Sequence, residues 1–202
     1  DYAIMSIAKN GATNIYEMNL KNKKVSQITE GVTINTSPSY SPDGKHIVFQ
    51  SDRHGARQLF VMGRNGSNIQ KISFGGGSYA EPNWSSRNFI AFTKVSRSSG
   101  FTIGVMKPDF IDEQSNERLI ASGYLVEASS WAPNGRVLVF TKGSRYKGKG
   151  SNGFNRIYTI DEVTVSTTRT VKSIGDIPVP IQVISKKFIQ QTGSQKLIDI
   201  LQ

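Results

Sequence analysis

Short apolar runs alternate along most of the chain with clusters of glycine, asparagine, serine and proline. Two kinds of run recur in a fixed order, the first at residues 47–49, 90–92 and 137–140, and the second at residues 59–62, 103–106 and 157–160. Their β-branched and aromatic content, with turn residues on both sides, predicts short antiparallel strands joined as hairpins. No apolar run approaches the ~20 residues that a membrane-spanning helix needs, so we expect no membrane span.

A phrase that leads into the first kind of run is written three times. Its aromatic anchors, Tyr40, Trp84 and Trp131, stand 44 and 47 residues apart, which is the period of a four-stranded propeller blade. Aromatic residues that recur at this period are expected to pack between neighbouring blades. In the first and third copies a Pro-Asp-Gly or Pro-Asn-Gly turn follows, because proline presets φ and glycine takes positive φ. In the second copy only Asn88 tolerates the left-handed backbone.

The repeats predict an all-β fold, a β-propeller of four-stranded antiparallel blades in a partial ring of about 3.5 blades. The blades are expected over residues 1–163, with a partial blade at 1–35, blades at 36–79 and 80–126, and a partial blade at 127–163. A divergent tail follows at residues 164–202. Around its start, residues 163–171 fit a strand, and residues 186–202 fit a short amphipathic helix or a loose tail.

Composition and charge narrow the classes of partner. The chain has no cysteine, which excludes disulfides, thiol nucleophiles and cysteine metal sites. The formal net charge of +10 raises the question of a nucleic-acid or anionic membrane partner. Only residues 142–156 are densely basic, and this stretch is rich in glycine and serine, with no aromatics beyond Tyr146 and Phe154. It is therefore interpreted as a flexible, solvated loop, and no specific nucleic-acid partner is predicted.

The sequence offers no constellation typical of catalysis. The histidines, His46 and His54, lie beside a strand and in the next turn, where surface positions are the simplest interpretation. Residues 76–80 lack the full spacing of a Gly-x-Ser-x-Gly nucleophile elbow. The glycines at 75–77 are not followed by Lys-Ser/Thr and a helix, so they fit a connector between blades better than a phosphate loop. We predict a non-enzymatic protein with no cofactor and no metal site.

The segments just before each aromatic phrase are the candidate binding site. In a propeller such segments join the outer strand of one blade to the inner strand of the next and surround the mouth of the central channel. Exposed apolar and aromatic side chains there, with a carboxylate in two copies, fit a protein-docking rim. The other interpretation is that they are connectors packed against neighbouring blades. The predicted partner-binding residues, called the rim residues below, are Ile34, Asn35, Thr36, Tyr79, Ala80, Glu81, Leu125, Val126 and Glu127.

The repeats resemble the propellers of the TolB family over about residues 1–161. The Ser-Pro-Asp-Gly and Ser-Asp-Arg elements, at residues 41–44 and 51–53, are shared by many propellers. An ordered series is more specific to this family: Ile-Ser-Phe-Gly at 72–75, Ile-Ala-Phe-Thr-Lys at 90–94 and Ile-Gly-Val-Met at 103–106.

This resemblance implies a periplasmic scaffold of the bacterial Tol-Pal system, which serves envelope integrity and cell division. It implies Pal, the peptidoglycan-associated lipoprotein, and other Tol proteins as partners, with Pal received at the face that the rim residues form. A complete family member has an N-terminal α/β domain and more blades, so we expect this chain to be a piece of a longer protein. The alternative is the substrate-gating propeller of a prolyl-oligopeptidase-like serine peptidase, which requires a Ser/Asp/His domain that this sequence does not contain.

Overall fold

The computed structural model describes residues 1–108, 116–143, 155–160 and 181–184. Within these ranges the chain forms fifteen β-strands and no helix. The strands are β1 (Tyr2–Lys9), β2 (Ala12–Asn19), β3 (Val25–Gln27), β4 (Asn35–Tyr40), β5 (His46–Ser51), β6 (Gln58–Gly63), β7 (Gln70–Lys71), β8 (Ser78–Trp84), β9 (Ile90–Ser96), β10 (Gly100–Met106), β11 (Arg118–Gly123), β12 (Leu125–Trp131), β13 (Leu138–Gly143), β14 (Asn155–Ile160) and β15 (Ile181–Ile184).

The strands form four antiparallel sheets that follow one another along the chain. Their strand orders are β1-β2-β3, β4-β5-β6-β7, β8-β9-β10-β11 and β12-β13-β14-β15. The first strands of consecutive sheets contact each other, β4 with β8 and β8 with β12, so they are the inner strands of a propeller. The predicted all-β propeller fold is confirmed. In the described ranges no helix is long and apolar enough to cross a membrane.

The hydrophobic core lies between the sheets. The side chains of strand β5 illustrate this arrangement, because they alternate between the interfaces with the sheets on either side. Ile47 and Phe49 pack with Ile15 of the first sheet. Val48 points the other way and packs with Phe92 of the third sheet. A third cluster joins the third and fourth sheets. Strands that are buried on both faces need apolar residues at successive positions, which explains the unbroken apolar runs of the sequence.

Each aromatic anchor contacts the sheet before its own. Tyr40 Oη donates a hydrogen bond to Glu17 Oε1 of the first sheet at 2.5 Å. Trp131 Nε1 donates to the backbone carbonyl oxygen of Asn83 in the third sheet at 3.0 Å. Trp84 is buried in the cluster that joins the second and third sheets. The prediction that the anchors pack between blades is therefore confirmed.

The hairpin turns that follow the anchors contain the predicted left-handed residues. Gly44, Asn88 and Gly135 have φ angles of 68°, 63° and 65°. The amide of each donates to the carbonyl oxygen three residues earlier, at 2.9, 3.1 and 2.9 Å. Asn88 thus takes in the second copy the position that glycine takes in the other two.

Each inner strand also contains a β-bulge that the sequence analysis did not identify. The pairing register shifts within residues 36–39, 80–83 and 127–130. Ser37, Glu81 and Ala128 lie at these bulges with positive φ angles of 53°, 52° and 55°. Because a bulge adds an unpaired residue and bends the strand, it changes which side chains of the inner strand face the core.

The last sheet takes its fourth strand from Ile181–Ile184, which pairs with β14. This strand lies beyond residue 163, where the sequence analysis ends the repeats, so blade structure extends into the predicted tail. The strand predicted at 163–171 and the helix predicted at 186–202 lie outside the described residues, as does most of the basic stretch at 142–156.

Candidate functional site

The rim residues lie where the inner strands begin. Strand β4 begins at Asn35, β8 at Ser78 and β12 at Leu125. The chain crosses from one sheet to the next just before each of these points. The crossings, called the first, second and third connectors below, are residues 28–34, 72–77 and 124. Because inner strands of consecutive blades run in the same direction, all three groups of rim residues lie at one end of the propeller, the connector end.

Three of the nine rim residues are not exposed as the sequence analysis expects. Asn35, Tyr79 and Val126 are each 0% exposed. They occupy equivalent positions, since their pairing partners on the neighbouring strands are Ser51, Lys94 and Lys142. Side chains alternate along a strand, and at this position they point into the interface with the preceding sheet. The expectation of exposure is therefore wrong for these three residues.

Other side chains protrude at the connector end. Among the remaining rim residues Ile34 and Glu81 are exposed, and the half-buried ones are Thr36, Ala80, Leu125 and Glu127. The apolar side chains that protrude most are Val32, Tyr124 and Ile34, with exposed fractions of 91%, 61% and 47%. Val32 and Tyr124 are not among the rim residues, although Tyr124 directly precedes the third group of them. Each of the two follows a glycine between consecutive sheets, which is a sequence signal for a loop position.

A network of hydrogen bonds, buried at Asn35 and exposed at Ile34, fixes the first connector. Asn35 Nδ2 donates to Asn14 Oδ1 of the first sheet at 3.1 Å. Arg53 donates to Asn35 Oδ1, also at 3.1 Å. The amide of Ile34 donates to Asp52 Oδ1 at 2.8 Å. The Ser-Asp-Arg element therefore anchors the connector that carries the exposed Val32 and Ile34.

The exposed carboxylate of Glu81 is engaged within the protein. Its Oε2 atom accepts a hydrogen bond from the amide of Ala128 in the fourth sheet at 2.9 Å, and another from Thr93 Oγ1 at 3.0 Å. Ala128 is the left-handed residue of the bulge in β12. Glu81 thus links the inner strands of the third and fourth sheets across the bulge.

The two histidines lie at opposite ends of β5, His46 at its start and His54 in the turn that follows it. The ring of His54 packs edge-on against Phe60, with 5.5 Å between ring centroids. His46 is exposed at the start of β5, at the end of the sheets opposite the connectors. It lines an open groove of about 730 Å³ together with Lys45 and Arg64. Across the described ranges no group of three or more His, Asp or Glu residues could hold a metal ion.

Comparison with known proteins identifies the family of this propeller. The family model for the TolB beta propeller domain matches residues 2–179. The chain belongs to the TolB beta propeller family. The resemblance drawn from the repeats is thereby confirmed, and so is the assignment of the repeats to propeller blades.

Individual relatives agree with this assignment. The Tol-Pal system protein TolB of Rickettsia bellii (strain OSU 85-389) is 57% identical over 92 residues, which are 44% of this chain and 20% of that protein. The crystal structure of TolB from Acinetobacter baumannii has a TM-score of 0.60 and 24% identity, covering 77% of this chain and 37% of that one. A putative TolB from Agrobacterium tumefaciens has a TM-score of 0.64 and 18% identity, covering 79% and 57%. At these identities the two structures show a shared fold.

The match to the Rickettsia bellii protein spans about a fifth of its length, 20%. The activity and partners of a whole TolB protein are therefore considered below as proposals for this chain.

Proposed function

We propose that this chain forms part of the propeller of a Tol-Pal system protein and that its connector end binds the lipoprotein Pal in the periplasm. The observation that carries the proposal is the group of protruding apolar side chains there, Val32, Ile34 and Tyr124. A few side chains near the centre of a contact surface, tyrosine prominent among them, provide most of the binding free energy in protein interfaces. The role is that of a docking scaffold and not of an enzyme.

The way in which the connector end is held favours docking. Asp52 binds the amide of Ile34, and Glu81 binds the amide of Ala128, so two parts of this surface are fixed by carboxylates. A surface that is already ordered loses less conformational entropy when a partner binds. Both carboxylates thus support binding by positioning their neighbours, whereas the sequence analysis assigned Glu81 only a direct contact.

The test is a calorimetric titration of purified Pal into the full chain and into a triple variant, Val32→Ser, Ile34→Ser and Tyr124→Ser. We expect the variant to bind Pal about 100-fold more weakly, because a loss of roughly 1 kcal/mol at each of three anchors amounts to about two powers of ten. Thermal unfolding of each variant establishes that the propeller is intact.

The chain offers a matched control with the same residue types. Val25, Ile69 and Tyr2 are exposed by 46%, 39% and 48%, and they lie away from the connectors. The variant Val25→Ser, Ile69→Ser and Tyr2→Ser should bind Pal as tightly as the unchanged chain does. Equal affinities of the two triple variants, or a loss confined to the control, would show that Pal does not bind at the connector end.

A further inference from the structure

A buried ionic cluster lies beside the second connector. Lys94 Nζ forms an ion pair with Glu117 Oε1, and Tyr79 Oη donates to Glu117 Oε2 at 2.5 Å. The Lys94 ammonium also lies 4.9 Å from the centroid of the Tyr79 ring. The side chains of Lys94 and Glu117 are only 9% and 13% exposed. Because these residues come from β8, β9 and the position before β11, the cluster ties together three parts of the third sheet.

The backbone of Gly75 lies directly against this cluster. A Cβ atom at residue 75 would lie 2.4 Å from Tyr79 Oη, 2.7 Å from Lys94 Nζ and 2.8 Å from Glu117 Oε1. A side chain at this position is therefore incompatible with the cluster as it stands. A Cβ atom at Gly76, the next residue, would meet nothing within 4 Å. The second connector is thus in close contact with the cluster at Gly75.

The corresponding positions of the second sheet also bind a charged side chain. Asn35 and Ser51, which are equivalent to Tyr79 and Lys94, both bind the guanidinium group of Arg53. In the second and third sheets, polar side chains at this pair of positions bind a common charged partner close to a connector. The partner is Arg53 in the second sheet and Glu117 in the third.

We propose that Tyr79, Lys94 and Glu117 are positioning residues that fix the conformation of the second connector at the partner-binding end. This group is called the latch below. A buried ion pair contributes little net stability, and apolar residues of similar size often replace one without loss. We attribute the presence of the buried ion pair to the specific geometry that it imposes on the connector. The effect of the latch on Pal binding rests on the proposed function, whereas its effect on the connector does not.

The first test compares Gly75→Ala with Gly76→Ala in the full chain. The alanine at residue 75 must displace the ends of the Tyr79, Lys94 and Glu117 side chains, whereas the alanine at residue 76 enters open space. We expect the displacement to loosen the latch. Hydrogen exchange is read at the amides of Ile72 and Tyr79, which bracket the connector and donate to the carbonyl oxygens of Leu59 and Arg57 at 2.9 Å. We expect about tenfold faster exchange in Gly75→Ala and no change in Gly76→Ala.

A second variant separates positioning from general stability. Lys94→Met, Glu117→Met and Tyr79→Phe together replace the ion pair and the hydroxyl bonded to it by apolar side chains. We therefore expect an unchanged or higher melting temperature together with faster exchange at the amides of residues 72 and 79. If this variant does not fold, Tyr79→Phe in the Gly75→Ala background takes its place. It removes the atom nearest to the new Cβ and should restore part of the protection. In the apolar variant, exchange that stays at the wild-type rate, or that rises only with global unfolding, would overturn the proposal. In the substitute, exchange as fast as in Gly75→Ala alone would overturn it.

Pal affinity then tests the link to the partner surface. Gly75→Ala should bind Pal about tenfold more weakly than Gly76→Ala does. Faster exchange with unchanged affinity would overturn this link. If the unchanged chain does not bind Pal, the proposed function fails, and the exchange data alone decide whether the latch holds the connector.

Discussion

Tyr40 and Glu17 belong to neighbouring sheets and share one hydrogen bond, from Tyr40 Oη to Glu17 Oε1 at 2.5 Å. Arg64 Nε donates to the same carboxylate oxygen at 2.7 Å. The guanidinium carbon of Arg64 lies 5.6 Å from the centroid of the Tyr40 ring. An aromatic anchor of the repeat is therefore also a polar link between two blades, at the end opposite the connectors.

This link makes the stability of the propeller dependent on pH. Burial by itself raises the pKa of Glu17. The hydrogen bonds from Arg64 and Tyr40 and the charge of Arg64 together lower the pKa by more than burial raises it, so the net pKa lies below the ordinary 4.5. The unfolded chain then binds more protons than the folded chain around this pH, and the stabilisation is lost as pH falls through the folded-state pKa. Replacing Glu17 by glutamine removes this dependence.

Urea unfolding at several pH values measures the effect. The difference in unfolding free energy between the unchanged chain and Glu17→Gln should be largest at neutral pH and should narrow as pH falls below 4.5. A difference that stays constant over this range would show that the carboxylate is not held preferentially in its charged form.

Gly104 makes room for a core side chain. A Cβ atom there would lie 2.4 Å from Phe92 Cζ and 2.7 Å from Phe92 Cε2, in a ring that is 0% exposed. Gly104→Ala should therefore destabilise the propeller by about 1–3 kcal/mol through overpacking. Adding Phe92→Leu to this variant should recover part of the loss, because it removes the atoms that collide. Simple additivity of the two single effects, measured by chemical unfolding, would contradict this explanation.

Asn88 provides the left-handed residue of a turn and also a hydrogen-bond acceptor for Trp84, and two substitutions separate these roles. Its φ angle is 63°, and its Oδ1 atom accepts a hydrogen bond from Trp84 Nε1 at 2.9 Å. Asn88→Gly keeps the turn and loses the hydrogen bond, whereas Asn88→Ala also places an unfavourable residue in the left-handed region, at about 1 kcal/mol or more. Unfolding free energies should fall in the order wild type, Asn88→Gly, Asn88→Ala. Equal stability of the two variants would contradict a strained backbone at this turn.

The fold was predictable from the sequence because the same packing and turn residues recur in each repeat. The anchors at Tyr40, Trp84 and Trp131 repeat a packing position, and the turn residues at Gly44, Asn88 and Gly135 repeat a φ requirement. Each of these signals can be recognised within a short stretch of the sequence. A residue type that recurs at the same position in several copies is more convincing evidence of a structural role than a single occurrence.

The candidate site was less predictable because its details depend on contacts that no local pattern encodes. The bulges at Ser37, Glu81 and Ala128 change the orientation of side chains within the inner strands, and nothing in the spacing of apolar residues marks them. The partner of Lys94 is Glu117, 23 residues away, and only the folded sheet brings the two together. For this reason Tyr79 was expected at the surface, although the fold places it in the core.

The most direct test of the account is the hydrogen-exchange footprint of Pal on the full chain. Pal at saturating concentration should slow exchange at residues 31–36, 78–81 and 124–128, which form the connector end, and should leave the turns at residues 19–25 and 63–69 unchanged. Protection confined to those turns, at the opposite end of the sheets, would contradict the central claim that this propeller binds its partner through the connectors between its blades.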